Sequence, residues 1–179
     1  MRTFVAAEVH SDEVLNAIAK LQSDFNIKAT PVSKQNMHFT LLFLGEIPED
    51  TAENVKSVLS SIKFKPIEVS FTHVGAFPNP NFPRVIWIGI DDASAKQLVE
   101  LAHQVEEKLG PLGFRSDKPF KPHLTIFRVK NKIENISKKI EMFRETKMGK
   151  ETISELKFKQ SILTPSGPIY SDLQVVNAQ

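Results

Sequence analysis

The chain reads as an α+β protein of two pseudo-symmetric lobes, each a mostly antiparallel sheet flanked by helices. Three observations carry that reading. A pattern of His, apolar, Thr, apolar occurs once in each half, as His38-Phe39-Thr40-Leu41 and His123-Leu124-Thr125-Ile126. Segments that alternate with period two are interleaved with segments whose apolar residues recur at helical spacing. Gly and Pro clusters separate them at hairpin-like returns, so strands and helices mix within one architecture.

The elements follow in order. Residues 2–9 read as a buried or half-buried strand. Ser11-Asp12-Glu13 can cap a helix to about residue 25, with Val14, Leu15, Ile18 and Leu21 on its apolar face. Pro31 breaks the chain before an apolar-rich strand over 38–44 that Gly45 ends. Pro48-Glu49-Asp50 opens a second helix with Ala52, Val55, Leu59 and Ile62 on one side. A strand over 66–74 precedes the proline-rich loop 75–83 and a strand over 84–90. The second half repeats the plan: a helix over 93–109 stopped by Gly110-Pro111, a strand over 123–129, a helix over 133–146 and a strand over 152–162. Residues 164–170 read as a turn into a short final strand. The expected organisation is a single bilobal domain over 1–179 with one tetrad per lobe.

Composition narrows the chemistry. The 179 residues contain no cysteine, which excludes disulfides, thiolate catalysis and Cys-based metal sites. With 23 basic and 21 acidic residues the net charge is +2, which excludes a gross polybasic binder but allows a local basic cleft. No apolar run approaches the roughly 18 residues of a membrane span. The opening residues look like a strand, not a signal peptide, so a cytoplasmic monomer with no membrane contact is expected.

The tetrads carry the chemistry. Strand side chains alternate, so His and Thr two residues apart share a face while their apolar partners enter the core. Each tetrad sets a group titrating near neutrality beside a hydroxyl donor. Two such faces opposed across a cleft supply an acid, a base and two hydroxyls around one phosphate. Hydrolysis of a cyclic phosphodiester needs just that set, with donors aimed at oxygens that gain charge in the transition state. No metal or other cofactor enters this scheme.

With these residues in view, the chain resembles the two-histidine (2H) phosphoesterase superfamily, in its RNA 2′,3′-cyclic phosphodiesterase branch, also called 2′-5′ RNA ligases. The likeness rests on the paired tetrads and on flanking segments that extend over nearly the whole chain. These include Arg2-Thr3-Phe4-Val5-Ala6, Leu42-Phe43-Leu44-Gly45-Glu46, Pro119-Phe120-Lys121-Pro122 and Leu163-Thr164-Pro165-Ser166-Gly167-Pro168-Ile169-Tyr170. The resemblance implies a bilobal fold around a central groove and opening of an RNA 2′,3′-cyclic phosphate to a 2′-phosphomonoester. It implies His38 as proton donor and His123 as proton acceptor, an order the residues themselves leave open. It also implies that some members run the reverse step, a 2′-5′ ligation, here without a nucleotide-activating motif.

Other residues are weighed against blander roles. Thr40 and Thr125 favour strands in any case, but their shared register with the histidines argues for phosphate contact. Arg128 lies five residues after His123, an odd offset that puts it on the opposite strand face, so structural pairing competes with substrate binding. Arg84, Lys121 and Lys118 are candidate phosphate contacts, with solvated surface as the alternative. Phe77, Phe82, Phe120 and Tyr170 are candidate stacking residues in loops, although most of the 13 phenylalanines must serve the core. His10, His73 and His103 lack the pattern. The expected partners are RNA ends bearing a 2′,3′-cyclic phosphate, with nucleotides as further candidates for the groove. The competing readings are a non-catalytic RNA-end or nucleotide binder, a metal hydrolase built on the two histidines, and a phosphodiesterase acting on another RNA end or a small cyclic nucleotide.

Overall fold

A computed structural model describes residues 1–179 in full. Nine strands and four helices succeed one another as β1 (Arg2–Glu8), α1 (Asp12–Phe25), β2 (Thr30–Pro31), β3 (His38–Glu46), α2 (Glu49–Leu59), β4 (Ile67–Phe77), β5 (Val85–Ile90), α3 (Asp92–Leu109), β6 (Leu124–Arg128), α4 (Ser137–Met142), β7 (Lys147–Ile153), β8 (Glu155–Thr164) and β9 (Gly167–Asn177). They form two antiparallel sheets, β3-β1-β8-β9 and β2-β6-β5-β4-β7. Tetrad strand β3 pairs with β1, and tetrad strand β6 pairs with β5, so the two sheets share a plan.

The halves of the chain interleave. β4 follows the first tetrad but joins the second sheet, because it returns antiparallel on β5 through the loop at 78–84. β7 and β8 are separated only by Ser154 and belong to different sheets, so the single strand expected over 152–162 is two. The helix expected over 133–146 shrinks to Ser137–Met142. Asn135 Oδ1 accepts from Ser137 N at 2.8 Å in the turn that precedes it, and no residue of α4 is buried. The final strand is long, not short: β9 pairs with β8 from Gly167–Thr164 to Asn177–Glu155. It has no fully buried residue, so it carries no core pattern to read.

Helix positions follow their apolar faces. Ser11 caps α1, whose Val14, Ile18, Leu21 and Phe25 pack toward β7 and β6. Asp91 Oδ1 accepts from Ser94 N at 2.8 Å and caps α3, which lies against β4 and β3 with α2 beside it. One cluster of 40 buried residues runs through both sheets, so the lobes share a core. Phe39 of β3 stacks on Phe71 of β4 at 5.8 Å, joining the sheets at that core. Phe39 is fully buried, so Phe39→Ala is expected to cost about 3–5 kcal/mol in urea unfolding, and a loss below about 1 kcal/mol would contradict a shared core.

Candidate active site

Each tetrad strand bulges at the same place. In β3, Val5 and Ala6 pair with Leu42 and Thr40, leaving Leu41 without a partner. In β6, Ile86 and Trp87 pair with Phe127 and Thr125, leaving Ile126 without one. Both unpaired residues stand at the fourth tetrad position. An extra residue shifts the alternation by one, so the fifth residue after each histidine returns to the histidine face. Burial follows suit: from His38 to Leu44 and from His123 to Val129 the sequence of half-buried, buried and exposed residues is identical.

The two faces line one cleft of about 140 Å³, walled by His38, Thr40, His123, Thr125, Arg128 and Tyr170 among others. The odd offset expected to turn Arg128 away is cancelled by the bulge at Ile126, and Arg128 lies in the cleft wall.

Both imidazoles are held alike. His38 Nδ1 donates to Asn36 O at 2.7 Å and His123 Nδ1 donates to Lys121 O at 2.6 Å, each to a carbonyl two residues upstream. A ring nitrogen so engaged keeps its proton and fixes the tautomer, leaving Nε2 for chemistry. His38 Nε2 lies 3.1 Å from Thr40 Oγ1. Aromatic rings fix the ring planes. Phe4 and Tyr170 flank His38 at 5.2 and 5.3 Å. Phe77 and Trp87 flank His123 at 5.0 and 6.4 Å.

The electrostatics differ between the two. Burial pushes His38 below 6.5, the Asn36 carbonyl pulls it up, Lys159 and Arg128 push it down and Glu8 pulls it up. Burial pushes His123 down, the Lys121 carbonyl pulls it up and Arg128 pushes it down. Only His38 has a carboxylate acting on it: Glu8 stands opposite it across β1 and β3. Glu8 is itself ion-paired to Lys159 and to Lys157, and Lys159 reaches Asp172 at 2.5 Å, a balanced four-charge network on the same sheet.

The comparisons with known proteins bear on this geometry. The LigT like phosphoesterase family matches the chain twice, at residues 9–87 and 88–170, one match per tetrad. The chain belongs to the LigT-like phosphoesterase family. The RNA 2′,3′-cyclic phosphodiesterase of Archaeoglobus fulgidus is 43% identical over 178 residues, covering 98% of this chain and 99% of its own. That of Methanocaldococcus jannaschii is 39% identical, covering 95% and 96%. The crystal structure of TT0787 of Thermus thermophilus superposes with a TM-score of 0.81 at 27% identity, over 99% of this chain and 97% of that one. Escherichia coli LigT complexed with 3′-AMP has the same fold, with a TM-score of 0.81 at 20% identity over 99% and 98%.

Within this family member, the remaining candidates are dispersed. Arg84 is exposed and donates from Nη1 to Lys130 O at 3.3 Å, and the Lys121 side chain points to solvent. Lys121 serves through its carbonyl instead. Lys118 is exposed as well. Phe77 belongs to β4 and packs edge-on against His123, Phe120 packs on the core, and Phe82 is exposed beside Lys132. Tyr170 alone of the four lines the cleft. His10 pairs with Glu8, His73 packs on Trp87 and His103 lies exposed near Glu107. Asn36 and Ser33, which no sequence signal singled out, also line the cleft, as do Ser166 and Pro168 of the segment 163–170 that supports the family likeness. Nothing in their own spacing marks them: Ser33 and Asn36 come from the turn before β3, Ser166 from the turn before β9 and Pro168 from the start of β9.

In an NMR titration of the free protein both imidazoles are therefore expected to titrate below 6.5. Arg128→Met removes a cation that lowers both and should move both upward. A free-protein value above 6.5 for either ring would contradict the arrangement.

Proposed function

We propose that this protein hydrolyses RNA 2′,3′-cyclic phosphate ends to 2′-phosphomonoesters by general acid–base catalysis. The observation that carries the reading is the matched pair of imidazoles, each pinned through Nδ1 to a backbone carbonyl with Nε2 left for the same cleft. Relatives at 43% and 39% identity that bear the name RNA 2′,3′-cyclic phosphodiesterase support the choice of substrate.

The steps balance as follows. His123 Nε2 takes a proton from water as its oxygen attacks phosphorus. The P–O3′ bond breaks, and O3′ takes the proton from His38 Nε2, leaving a 3′-hydroxyl and a 2′-phosphate. Thr40, Thr125 and Arg128 donate to the phosphoryl oxygens as charge builds there. The order of roles, His38 as donor and His123 as acceptor, is the one the family likeness implies; among the charged neighbours of His38, Lys159 and Arg128 each outweigh Glu8.

The free protein holds both rings below their ordinary value, so His38 must gain its proton with the help of the bound anion. A phosphodiester between the rings raises both, since opposite charge favours the protonated form. With a 5′-hydroxyl in place of the attacking water, the same residues run a joining step: His123 takes the hydroxyl proton as O5′ bonds to phosphorus, and O3′ leaves with the proton from His38, giving a 2′-5′ linkage and a 3′-hydroxyl. No step is assigned to a metal, and the protein is taken to act as a cytoplasmic monomer on RNA ends, with nucleotides as further ligands of the cleft.

An RNA ending in a 2′,3′-cyclic phosphate, incubated with EDTA present, should yield a 2′-phosphate; a 3′-phosphate product, or activity abolished by EDTA, would overturn the scheme. His38→Ala and His123→Ala should each cost about 10²–10⁴ in kcat. Thr40→Val and Thr125→Val should each cost about 10²-fold. The pH profile of kcat/KM should be a bell, because His123 must be neutral and His38 protonated. Both free-enzyme values lie below 6.5, so its maximum should fall below pH 6.5, and the bell for kcat should lie at higher pH. A flat profile across that range would count against paired imidazoles.

A further inference from the structure

The sheet that carries His123 contains two glycines whose backbone does not require them. Gly75 of β4 and Gly89 of β5 both lie outside the positive-φ region. What each lacks is room for a side chain. A Cβ on Gly75 would fall on Cζ2 and Cη2 of Trp87 and lie 2.8 Å from its Cε2. A Cβ on Gly89 would fall on Nε2 and Cε1 of His73 and lie 3.0 Å from its Cδ2. Each ring thus covers a glycine of the neighbouring strand: Trp87 of β5 lies over β4, and His73 of β4 lies over β5.

His73 reaches its place through an irregular backbone. It is the unpaired residue of a bulge between Thr72 and Val74, and its φ of 46° is left-handed. Its ring meets Trp87 edge-on at 5.9 Å. Trp87 in turn packs on Phe77 at 5.1 Å and on His123 at 6.4 Å, and Phe77 meets His123 at 5.0 Å. Gly75, Trp87 and Thr125 stand in one row across β4, β5 and β6, so the indole belongs to the same sheet face as Thr125. No hydrogen bond holds it there, since Trp87 Nε1 is buried without a partner. The glycine beneath the indole and the rings around it set its position.

We propose that Trp87 is a positioning residue for the reaction: placed over Gly75 and braced by His73, it fixes the plane in which His123 turns Nε2 toward the cleft. The assignment rests on the hydrolytic reading above for the role of His123. The Lys121 carbonyl sets the tautomer through Nδ1, and the indole with Phe77 restricts the tilt of the ring about that bond. A base displaced by about 1 Å can lose about 10²-fold in rate, so a ring that only steadies His123 still governs kcat.

The test is a cycle of wild type, Gly75→Ala, Trp87→Phe and the double variant on adenosine 2′,3′-cyclic phosphate. The alanine methyl displaces the indole, so Gly75→Ala should lower kcat about 10–10²-fold with KM held within about twofold. Phenylalanine lacks Cζ2 and Cη2, so Gly75→Ala should cost less than about twofold once Trp87→Phe is present. Equal costs in the two backgrounds, or a KM that rises as kcat falls, overturn the proposal. Nitrogen-15 NMR of the imidazoles reads the positioning itself. In Gly75→Ala the Nδ1–H signal of His123 should be lost to exchange while that of His38 stays. An unchanged His123 signal overturns the proposal, and so does loss of both, which marks a general loosening of the sheets. If Gly75→Ala does not fold, Trp87→Phe alone decides. A kcat lowered about tenfold at constant KM, with the His123 signal lost, then supports the proposal, and an unchanged kcat overturns it. If wild type does not turn over the cyclic phosphate, the hydrolytic reading fails by itself, and the two histidine signals still decide whether Trp87 holds His123.

Discussion

A strand can present only every second residue to one face, yet each groove wall here needs His, Thr and a third group whose offset from the histidine is five. The single unpaired residue at Leu41 and at Ile126 resolves that conflict. Up to the bulge, His and Thr face the cleft while Phe39 and Leu124 enter the core. Beyond it the phase is inverted, Leu42 and Phe127 enter the core, and Phe43 and Arg128 face outward. Without the extra residue, Arg128 would be turned toward the apolar interior, where an unpaired guanidinium carries a heavy desolvation cost. The bulge thus sets both the composition of the cleft and the continuity of the core beneath it.

The histidines gain their orientation from backbone instead of from side-chain partners. A carbonyl two residues upstream holds Nδ1 in both lobes, and each such carbonyl lies in the chain entering the tetrad strand. Orientation is therefore nearly symmetric. Charge is not. Glu8 and the lysines that neutralise it sit on the His38 sheet alone, while Arg128 acts on both rings. The two imidazoles thus share one mode of orientation while standing in different charged surroundings.

The two halves of the chain interleave across the sheets. β4 lends a strand to the second sheet and β8 with β9 complete the first, so each tetrad strand rests on a sheet built from both halves. Neither half holds its own core, and the 40-residue cluster passes through both. The cleft lies where the two sheets face each other across that common support, so the distance between the imidazoles depends on a shared interior and not on a hinge.

The α+β class, the helices α1, α2 and α3 with the Ser11 cap of the first, and the strands β1, β3, β5 and β6 were legible from periodicity and punctuation, because each of them has a buried face that imposes its own period. So were His38, Thr40, His123 and Thr125, since a repeated spacing in a chain with five histidines is local information. The extent of β9 and the shortness of α4 were not, because those segments have no fully buried residue to pattern them; the break at Ser154 was not, because buried Ile153, Leu156 and Phe158 run on across it while the two strands join different sheets. Which sheet each strand joins, the facing of Arg128 and Phe43, and the arrival of Asn36 and Glu8 at the imidazoles were decided only in three dimensions. A bulge is a mismatch between two strands, and a single strand's sequence holds no record of its partner's register.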